Sequence, residues 1–466
     1  MGFMLSRYFR VGIVKNAAIS LVGFIAAGAL GYLFQFLLAR RLSVEQYGEF
    51  QSLVALFAIL GVFGSALSYF VITHTAVFAA ARDVAANEQF LRWLLHRVLL
   101  VAGVLLAVFL AFTPAVRSLL HLSESWGFVV VSFAALVGLL IVLDQGSLTG
   151  WEEFLAVNAI ATSGTFLKLI VGLIVVTITP RAAPATLALL ASAVGTWLLF
   201  RVWGPRRLRA RAAHPSETGE DPSSPRRDSE GNDWKTRYFP TRVVQRDLGF
   251  VILFTLLITL TQNLDILLVK HFSTAALAGQ YSALALAGKL IFWANLGVAT
   301  VVLPVASARA HAGRPIGARI RLAATGLMLS LGSVAIFLYA IVPSLLLRTA
   351  LGTPYTVHAS ALWLFGVMAV PLSLLLLEAN FAFARRDIRV TLTLGLVAAL
   401  MAAGISFFHA GIREIAVSVT AALTAGYFCT LVLNLRSARP VPASAVPEST
   451  DQLGRALKEP LALPKY

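Results

Sequence analysis

Twelve apolar stretches, each about 20 residues long, run through the chain and restrict what it can fold into. They lie at 17–39, 51–73, 96–113, 127–148, 155–179, 184–203, 248–269, 280–304, 322–346, 360–383, 389–408 and 415–435. A helix rises about 1.5 Å per residue, so a stretch of this length crosses a hydrocarbon core about 30 Å thick. The sequence therefore predicts an all-α integral membrane protein with about 12 transmembrane helices.

The composition agrees with that prediction. Hydrophobic residues make up 58% of the chain and charged residues 13%, with a mean hydropathy of +0.81, whereas soluble domains are about half apolar and about one quarter charged. The first stretch follows Arg7, Arg10 and Lys15, as the apolar core of a signal peptide would. Because that core is only about 7 to 15 residues long, we expect a spanning helix instead.

The cations predict the orientation. If both termini face the cytoplasm, 29 of the 38 lysines and arginines fall on the cytoplasmic side, 7 on the opposite side and 2 within helices. Positively charged loops remain cytoplasmic during insertion. The net charge of +16 then follows from topology and from anionic lipid headgroups, and no nucleic acid partner is expected. We expect a multi-pass protein of the inner (cytoplasmic) membrane.

Two segments are too polar to cross a membrane. Residues 205–246 are rich in charge, Pro, Ser and Gly, a composition that cannot bury enough apolar surface to fold alone. Residues 437–466 contain five prolines and are predicted to be a disordered cytoplasmic tail. The predicted organisation is an N-terminal six-helix lobe at 1–204, the cytoplasmic basic linker, a C-terminal six-helix lobe at 247–436 and the tail.

The two groups of six helices contain similar segments. "LLARRLSVEQYGEFQSLVAL" (37–56) aligns with "LLVKHFSTAALAGQYSALAL" (267–286), and after one inserted residue Gly48 pairs with Gly279. Both segments follow the first helix of their half. The similarity indicates that one half is a duplicate of the other.

A second match supports the duplication. "LLIVLDQ" in the fourth helix aligns with "LLLLEAN" in the tenth, and this pairs Asp144 with Glu378. Since six helices precede the second copy, both halves would have the same orientation in the membrane, which is a parallel repeat. Substrate sites in transporters of this kind lie between the repeats.

These segments resemble a known family. The first helix ends in Arg and Leu before a polar turn with "YGEF", and "NLDILLVKHFSTAALAGQYSALALAGKL" covers the seventh and eighth helices. With the helix count and the central basic loop, the pattern over about 16–436 resembles the polysaccharide biosynthesis or Wzx-type oligosaccharide flippases, relatives of the MATE exporters and the lipid II flippases. The resemblance implies a MATE-like, V-shaped pair of lobes that moves a polyprenyl-diphosphate-linked glycan across the membrane, with other polysaccharide assembly proteins as partners.

Polar faces on three predicted helices are candidates for lining a cavity. Gln35 lies on a small, polar face of the first helix, and Thr165 and Lys168 lie on such a face of the fifth. In the seventh helix, Asn263 and Asp265 end a stripe of Thr and Gln. Close packing through small residues, and threonines bonded to their own helix, are the structural alternatives. A stripe that ends in a charge favours a water-accessible cavity.

Four residues of the fourth, seventh and tenth helices are candidates for coupling or gating. Asp265, with Asn263 beside it, lies five residues from Lys270 near a helix end. It is a structural residue, a proton or cation site, or a gate that pairs with a cation of the other lobe. Asp144 and Glu378 lie near cytoplasmic helix ends, where a charged side chain reaches water easily. For them structural capping or an inner gate is favoured over ion coupling.

Lys168 and Lys289 are the deepest cations, about 13 and about 9 residues into the fifth and eighth helices, and no acidic residue is comparably deep. A lysine at a helix centre costs about 2.5–3.5 kcal/mol on insertion. An uncompensated pair, one in each lobe, would lose protons or gather an anion, and a diphosphate is the anion that the resemblance implies. We therefore expect both, with Thr165 and Gln35, to bind substrate between the lobes. Alternatively, each lysine is neutral or extends along a groove.

Other functions match the sequence less well. A major facilitator transporter also has two six-helix halves, but its Gly, Asp, Arg signature is absent from 73–93. A MATE-type drug or metabolite exporter shares the lobes and would need acidic residues for cationic drugs. A membrane glycosyltransferase or polymerase needs a large outer loop with catalytic groups, and the longest outer loop is about 114–126. The His residues and the single Cys429 have no metal-ligand spacing. We expect a transporter without cofactor, metal or catalytic residue.

The predicted orientation can be checked by cysteine labelling in a Cys429→Ser background. Ser123→Cys should react with a membrane-impermeant maleimide on intact cells, whereas Ser229→Cys in the linker should react only after the membrane is opened, because the cations place the linker inside. The reverse pattern would contradict the orientation.

Overall fold

The protein is described by a computed structural model that covers residues 22–23, 25–213, 241–311 and 318–437. The first half contains α1 (25–41), α2 (Val44–Leu60), α3 (Val62–Ala80), α4 (Val84–Leu120), α5 (Trp126–Gly150), α6 (Phe154–Ile178), α7 (Ala182–Ala185) and α8 (Leu187–Ala213). The second half contains α9 (Thr241–Phe272), α10 (Ala275–His311), α11 (Ala318–Ile341), α12 (Pro343–Ala350), α13 (Leu362–Ala384), α14 (Ile388–Phe407) and α15 (Ile412–Ser437), with short 3-10 turns at Thr353–Thr356 and Ala359–Ala361.

The prediction of an all-α membrane protein is confirmed. Among the described residues, 11 helical segments are long and apolar enough to span a membrane, with α2 and α3 forming one of them. The remaining predicted stretch, 17–39, contains α1 but begins outside the described residues. Together they account for about 12 transmembrane helices.

Several helices extend well beyond the predicted apolar stretches. α4 has 37 residues, Val84–Leu120, where the hydropathy indicated 96–113. α8 and α9 also continue into the predicted linker, which therefore begins and ends with helix at 205–213 and 241–246. Hydropathy detects only the part of a helix inside hydrocarbon, whereas the helix continues with polar side chains where water and headgroups begin. The middle of the linker and the tail lie outside the described residues.

The turns between helices carry ordinary capping residues. The Ser43 side chain accepts a hydrogen bond from Gln46 N at the start of α2, and Asp83 accepts one from Ala86 N at the start of α4. Asp387 accepts one from Arg389 N at the start of α14. Such caps satisfy N–H groups that have no partner within the helix.

The packing repeats between the halves. In the first half α5 packs against α3 and α8, and α6 packs against α8. In the second half α13 packs against α10 and α15, and α14 packs against α15. The three helix pairs named in the first half thus have counterparts in the second, as a duplication of six helices would produce.

The halves meet most closely where α2 crosses α10. A Cβ atom on Gly48 would lie 2.7 Å from Gly279 N, and one on Gly279 would collide with the carbonyl of Val44. These are the two glycines that the sequence repeat pairs with each other. A residue that contacts its own counterpart lies on an approximate two-fold axis, so this axis passes between α2 and α10. We call the end of the molecule with the α1–α2 and α9–α10 turns the far end, and the other end the linker end.

Replacing Gly279 with Ala should weaken the contact between the halves, because the added Cβ meets backbone that cannot move aside. Overpacking of this kind costs about 1–3 kcal/mol. We expect a lower melting temperature for the purified variant in detergent, followed by intrinsic fluorescence.

Gly103→Ala in α4 is the matched control, because nothing lies within 4 Å of a Cβ at that site. Alanine is favoured over glycine in a helix by about 1 kcal/mol, so the control should melt at the same temperature or higher. Equal melting temperatures for the two variants would show that the glycine contact does not hold the halves together.

Candidate functional site

Two helix ends cap each other across the far end. Arg40 in the last turn of α1 donates hydrogen bonds to the carbonyls of Thr349 and Ala350, where α12 ends. In return, the Tyr355 hydroxyl donates to Ala39 O in the last turn of α1 (3.2 Å). The Tyr355 ring also packs edge-on against Tyr47 of α2, with centroids 5.6 Å apart. The last carbonyls of a helix lack partners within the helix, so each half satisfies a helix end of the other.

Buried charge also joins the halves at the far end. Glu49 of α2 is 3% exposed and Lys270 of α9 is 4% exposed, and the two interact electrostatically. Glu49 also accepts hydrogen bonds from the Ser123 N–H (3.1 Å) and hydroxyl (2.9 Å). A ring nitrogen of His271 lies 2.7 Å from Leu119 O at the end of α4. We call the contacts of Arg40, Tyr355, Glu49–Lys270 and His271 the far-end seam.

Away from the far end, the described contact between the halves includes an aromatic pair. The Tyr69 ring of α3 lies edge-on to the Phe383 ring of α13, with centroids 6.4 Å apart. An edge-to-face ring pair contributes about 0.5–1.5 kcal/mol beyond area burial. These two rings can slide or separate without leaving a buried polar group unpaired. Separation of the far-end seam would leave buried polar groups without partners.

A second polar site lies inside the second half. Its cavity is lined by Thr261, Gln262, Asp265, Gly288, Lys289 and by apolar residues of α13, α14 and α15. Its free space is about 10 Å³, which is about what one water molecule needs. All of the walls come from α9, α10, α13, α14 and α15, so this cavity is internal to one bundle.

The cavity holds a carboxylate and an ammonium. Asp265 is 3% exposed; one carboxylate oxygen accepts from the Tyr281 hydroxyl (3.0 Å) and the other has no hydrogen-bond partner. Lys289 Nζ donates to Asn263 Oδ1 at 3.4 Å. A polar oxygen and a carboxylate therefore lie in the cavity of Lys289. The partner of Asp265 and the walls of its cavity belong to its own half, and its role in coupling or gating stays a prediction.

The first half carries a neutral counterpart of this site. The repeat alignment extends back to pair Gln35 with Asp265. Gln35 accepts a hydrogen bond from Gln51 (2.8 Å), and Asp265 accepts one from Tyr281 (3.0 Å), which the alignment pairs with Phe50 and not with Gln51. The duplicated position thus carries a neutral amide in one half and a carboxylate in the other, each with a different partner. Only the second half places an ionisable group there.

Lys168 and Thr165 lie on α6 in the first half. The Thr165 hydroxyl donates to Ala161 O of its own helix (3.1 Å), which is the structural alternative given above for such threonines. Lys168 Nζ lies 5.1 Å from the centroid of the Phe34 ring, a cation–π distance. Among the described residues, no acidic side chain pairs with Lys168. The structure does not bring Lys168 and Lys289 to a common wall.

Asp144 and Glu378 pair with residues of their own half near the linker end. Asp144 lies 3.1 Å from Arg201 of α8. Glu378 is 1% exposed, lies 3.3 Å from Arg321 of α11 and accepts from Asn434 of α15 (2.6 Å). The Asp144–Arg201 and Glu378–Asn434 contacts connect equivalent helices, α5 with α8 and α13 with α15. Each carboxylate joins helices within one half, as structural capping would, and neither pairs with a described residue of the other half.

Arg385 completes the linker-end network of the second half. It donates to the side-chain oxygen of Asn434, which in turn donates to Glu378. Burial lowers the pKa of the Arg385 guanidinium, although Asp387 and Glu378 act in the opposite direction. Arginine still remains charged at any ordinary pH.

Several residues of these sites could not be found by sequence reasoning. Tyr281 and Tyr355 look like ordinary aromatic residues, and only the fold places their hydroxyls against Asp265 and Ala39. Arg321 is one of many cations near the linker end, and nothing in the sequence assigns it to Glu378. Arg40 was counted as an outer-face cation, and its position directly after an apolar helix was the one available signal.

The same fold occurs in solved structures of transporters. An inward-facing multidrug resistance MATE family transporter of the MOP superfamily matches with a TM-score of 0.69 at 13% identity, over 92% of this chain and 100% of that one. The lipid II flippase MurJ in an inward closed conformation matches with 0.61 at 13%, over 90% of this chain and 87% of that one. A MATE protein in complex with MaD3S matches with 0.62 at 15%, over 92% and 95%.

These likenesses establish the fold: the protein is a multi-pass membrane protein with the two-bundle architecture of the MATE and MurJ structures. The MATE-like prediction is therefore confirmed, whereas the Wzx-type assignment stays a prediction. No protein-family model and no curated protein sequence matches the chain. Among the described residues, no group of His, Cys, Asp and Glu could hold a metal ion.

A double-mutant cycle should reveal the coupling between Asp265 and Lys289. Removing one member of a buried pair leaves the other charge uncompensated and costs about 3–5 kcal/mol. We therefore expect Asp265→Asn and Lys289→Gln each to destabilise the protein, and the double variant to lose less than the sum by about 0.5–3 kcal/mol. The measurement is the free energy of unfolding in detergent.

The control cycle combines Lys289→Gln with Asp144→Asn, whose pair with Arg201 lies in the other half. Distant sites add within about 0.3–0.5 kcal/mol. Additivity in both cycles would show that Asp265 and Lys289 line one cavity but have no measurable interaction free energy.

Proposed function

We propose that the protein is a flippase that moves a polyprenyl-diphosphate-linked oligosaccharide across the inner membrane for polysaccharide biosynthesis. The observation that carries the proposal is Lys168, a cation in the middle of α6 that the described residues leave without an acidic partner. An ammonium in hydrocarbon is costly unless it has a function, and it binds phosphate as a point charge. A lipid-linked diphosphate brings such an anion into the membrane.

The fold supports this proposal, because one of the similar structures is named a lipid II flippase. A lipid-linked glycan has a long apolar tail and a large polar head. Two bundles that separate on one side can admit the head while the tail stays in lipid. We propose that Gln35 and Thr165 contribute to the wall that receives the head, and that Lys168 contacts the diphosphate.

The contacts between the halves differ at the two ends of the molecule. The far-end seam holds the halves together with capped helix ends and buried charge, so the linker end is where the halves can separate without breaking those contacts. The cation distribution predicts that the linker end and both termini lie in the cytoplasm. In the proposed cycle, the substrate enters from the cytoplasmic side and leaves after the far-end seam opens.

A MATE-type cation-coupled exporter of drugs or metabolites is the second candidate. The unpartnered, buried oxygen of Asp265 favours it, because a carboxylate with a free oxygen can take up a proton or a cation. The same group would serve a flippase as its coupling site, with Asn263 and Lys289 beside it. A membrane glycosyltransferase or polymerase gains no support, since the similar solved structures are named as transporters and a flippase.

The experiment reconstitutes the protein in liposomes with a fluorescent polyprenyl-diphosphate disaccharide and measures how fast the label becomes inaccessible to a membrane-impermeant quencher. Lys168→Ala should slow flipping at least about tenfold, because a hydrogen bond to a charged group contributes about 1.5–3 kcal/mol. Lys168→Arg should keep partial activity, and Ser163→Ala, exposed on the same helix, should keep full activity.

Ethidium efflux from the same liposomes tests the exporter. Efflux without glycan flipping by the unaltered protein would replace the flippase by the exporter. Flipping at an equal rate in Lys168→Ala would remove Lys168 from the substrate site. Asp265→Asn keeps the side-chain shape, so unchanged dependence on a proton or sodium gradient in this variant would assign Asp265 a purely structural role.

A further inference from the structure

The far end contains few cations, and most of those have a partner or are buried near a carboxylate. Arg40 caps α12, Arg181 pairs with Glu124 (3.2 Å), Arg413 donates to Ser360 (3.0 Å) and Lys270 is buried near Glu49. Arg117, in the last turn of α4, differs from these: its side chain has no ion-pair or hydrogen-bond partner among the described residues, and it lines a cavity.

That cavity lies between the end of α4 and the start of α5. It has a volume of about 520 Å³ and is open to the surface. Its polar lining consists of two basic side chains, Arg117 and His121, and of the hydroxyl residues Thr113, Ser118 and Ser125. The lining therefore offers hydrogen-bond donors and positive charge, and none of its residues is acidic.

The local backbone places these donors together. His121 adopts the left-handed conformation (φ 48°, ψ 48°) that ends α4, and Arg117 O accepts hydrogen bonds from the N–H groups of His121 and Leu122. The chain turns at once into α5, a 25-residue helix preceded by Ser125, whose side chain does not cap it. The positive end of the α5 dipole therefore lies at the edge of the cavity, where it favours an anion.

The carboxylates nearest in sequence to this turn already have hydrogen-bond or ion-pair partners. Glu124 accepts from Trp126 Nε1 (2.7 Å) and pairs with Arg181. Glu49 accepts from the Ser123 N–H and hydroxyl. Neither carboxylate lines the cavity, so an anion bound there would not displace an existing ion pair of Arg117.

The cavity also lies at the depth of lipid headgroups. α4 and α5 are both candidate membrane spans, and the cavity is at the turn between them. Phe112, Leu119 and Trp126 are large, exposed apolar side chains around this turn. Aromatic residues such as tryptophan favour the membrane–water boundary. A ligand at this site can place an anionic group in the cavity and an acyl chain against the apolar surface.

We propose that this cavity binds a phosphate group at the membrane surface, with Arg117 and His121 as its principal ligands and the serine hydroxyls as further donors. The arginine fork matches two phosphate oxygens, which makes arginine the preferred residue for such recognition. The source of the phosphate is an anionic phospholipid or free phosphate in solution. The site is separate from Lys168 and from the Asp265 cavity and does not depend on which substrate the protein transports.

Native mass spectrometry of the full-length protein in detergent tests the proposal with dioleoyl phosphatidic acid as the probe and dioleoyl phosphatidylcholine as the zwitterionic comparison. Loss of the bidentate arginine contact and of the histidine N–H donor in Arg117→Gln with His121→Gln should weaken binding of the first phosphatidic acid at least about tenfold. Arg117→Lys should retain part of the affinity. Arg348→Gln, another exposed far-end arginine outside the cavity, should bind as the unaltered protein does.

Addition of inorganic phosphate distinguishes the two sources. If phosphatidic acid stays bound in a large excess of inorganic phosphate, the ligand is a lipid. If inorganic phosphate displaces it at comparable concentration, the site is supported and its ligand is free phosphate. The proposal is overturned if the double variant binds phosphatidic acid as tightly as Arg348→Gln does, or if phosphatidylcholine binds the unaltered protein equally well.

Discussion

The approach of α2 to α10 at Gly48 and Gly279 determines how the two halves fit together. In hydrocarbon there is no hydrophobic force between helices, because lipid tails are as apolar as the side chains they would replace. Helices in a membrane are therefore held together by close packing through small residues. At Gly48 and Gly279 the backbones of α2 and α10 are in direct contact. This contact brings the end of α1 beside α12, so that Arg40 and Tyr355 reach helix ends of the opposite half. Without it, neither cap would form, and the buried Glu49 and Lys270 would not lie near each other.

The buried charges fall into two groups with different consequences. Asp144, Glu378 and Asp265 each have a partner or a shared cavity within one bundle, so these groups can stay together while the bundles move as rigid bodies. Glu49 and Lys270 lie on opposite sides of the boundary and must separate when the far end opens. Separation is tolerable only if water enters at the same time, because an isolated buried charge is very costly. Opening of the far end is therefore coupled to its hydration.

The repeat is symmetrical in backbone and asymmetrical in chemistry. Gln35 and Asp265 occupy corresponding positions but have different partners, Gln51 and Tyr281. Asp144 and Glu378 also correspond, and they contact Arg201 and Asn434, respectively. Duplicated bundles keep the packing that both need to fold, whereas the polar positions are free to diverge. The ionisable member of the first pair lies in the second half, and the unpaired lysine of α6 lies in the first. Substrate contact and ion coupling are thus assigned to different bundles in the proposed mechanism.

The membrane environment, the approximate number of helices and the repeat all follow from the sequence alone. Hydropathy over about 20 residues and a match between two segments are local properties. The sequence also located Asp265 and Lys289, since a charge within an apolar stretch is conspicuous. It did not indicate what Lys289 contacts, because helical position alone does not say which neighbour a side chain faces. Only the tertiary structure decided that Asp265 and Lys289 line one cavity, that Lys289 donates to Asn263, and that Lys168 lies against Phe34. The physical reason is that pairing energies depend on distances between residues far apart in the chain, and packing sets those distances.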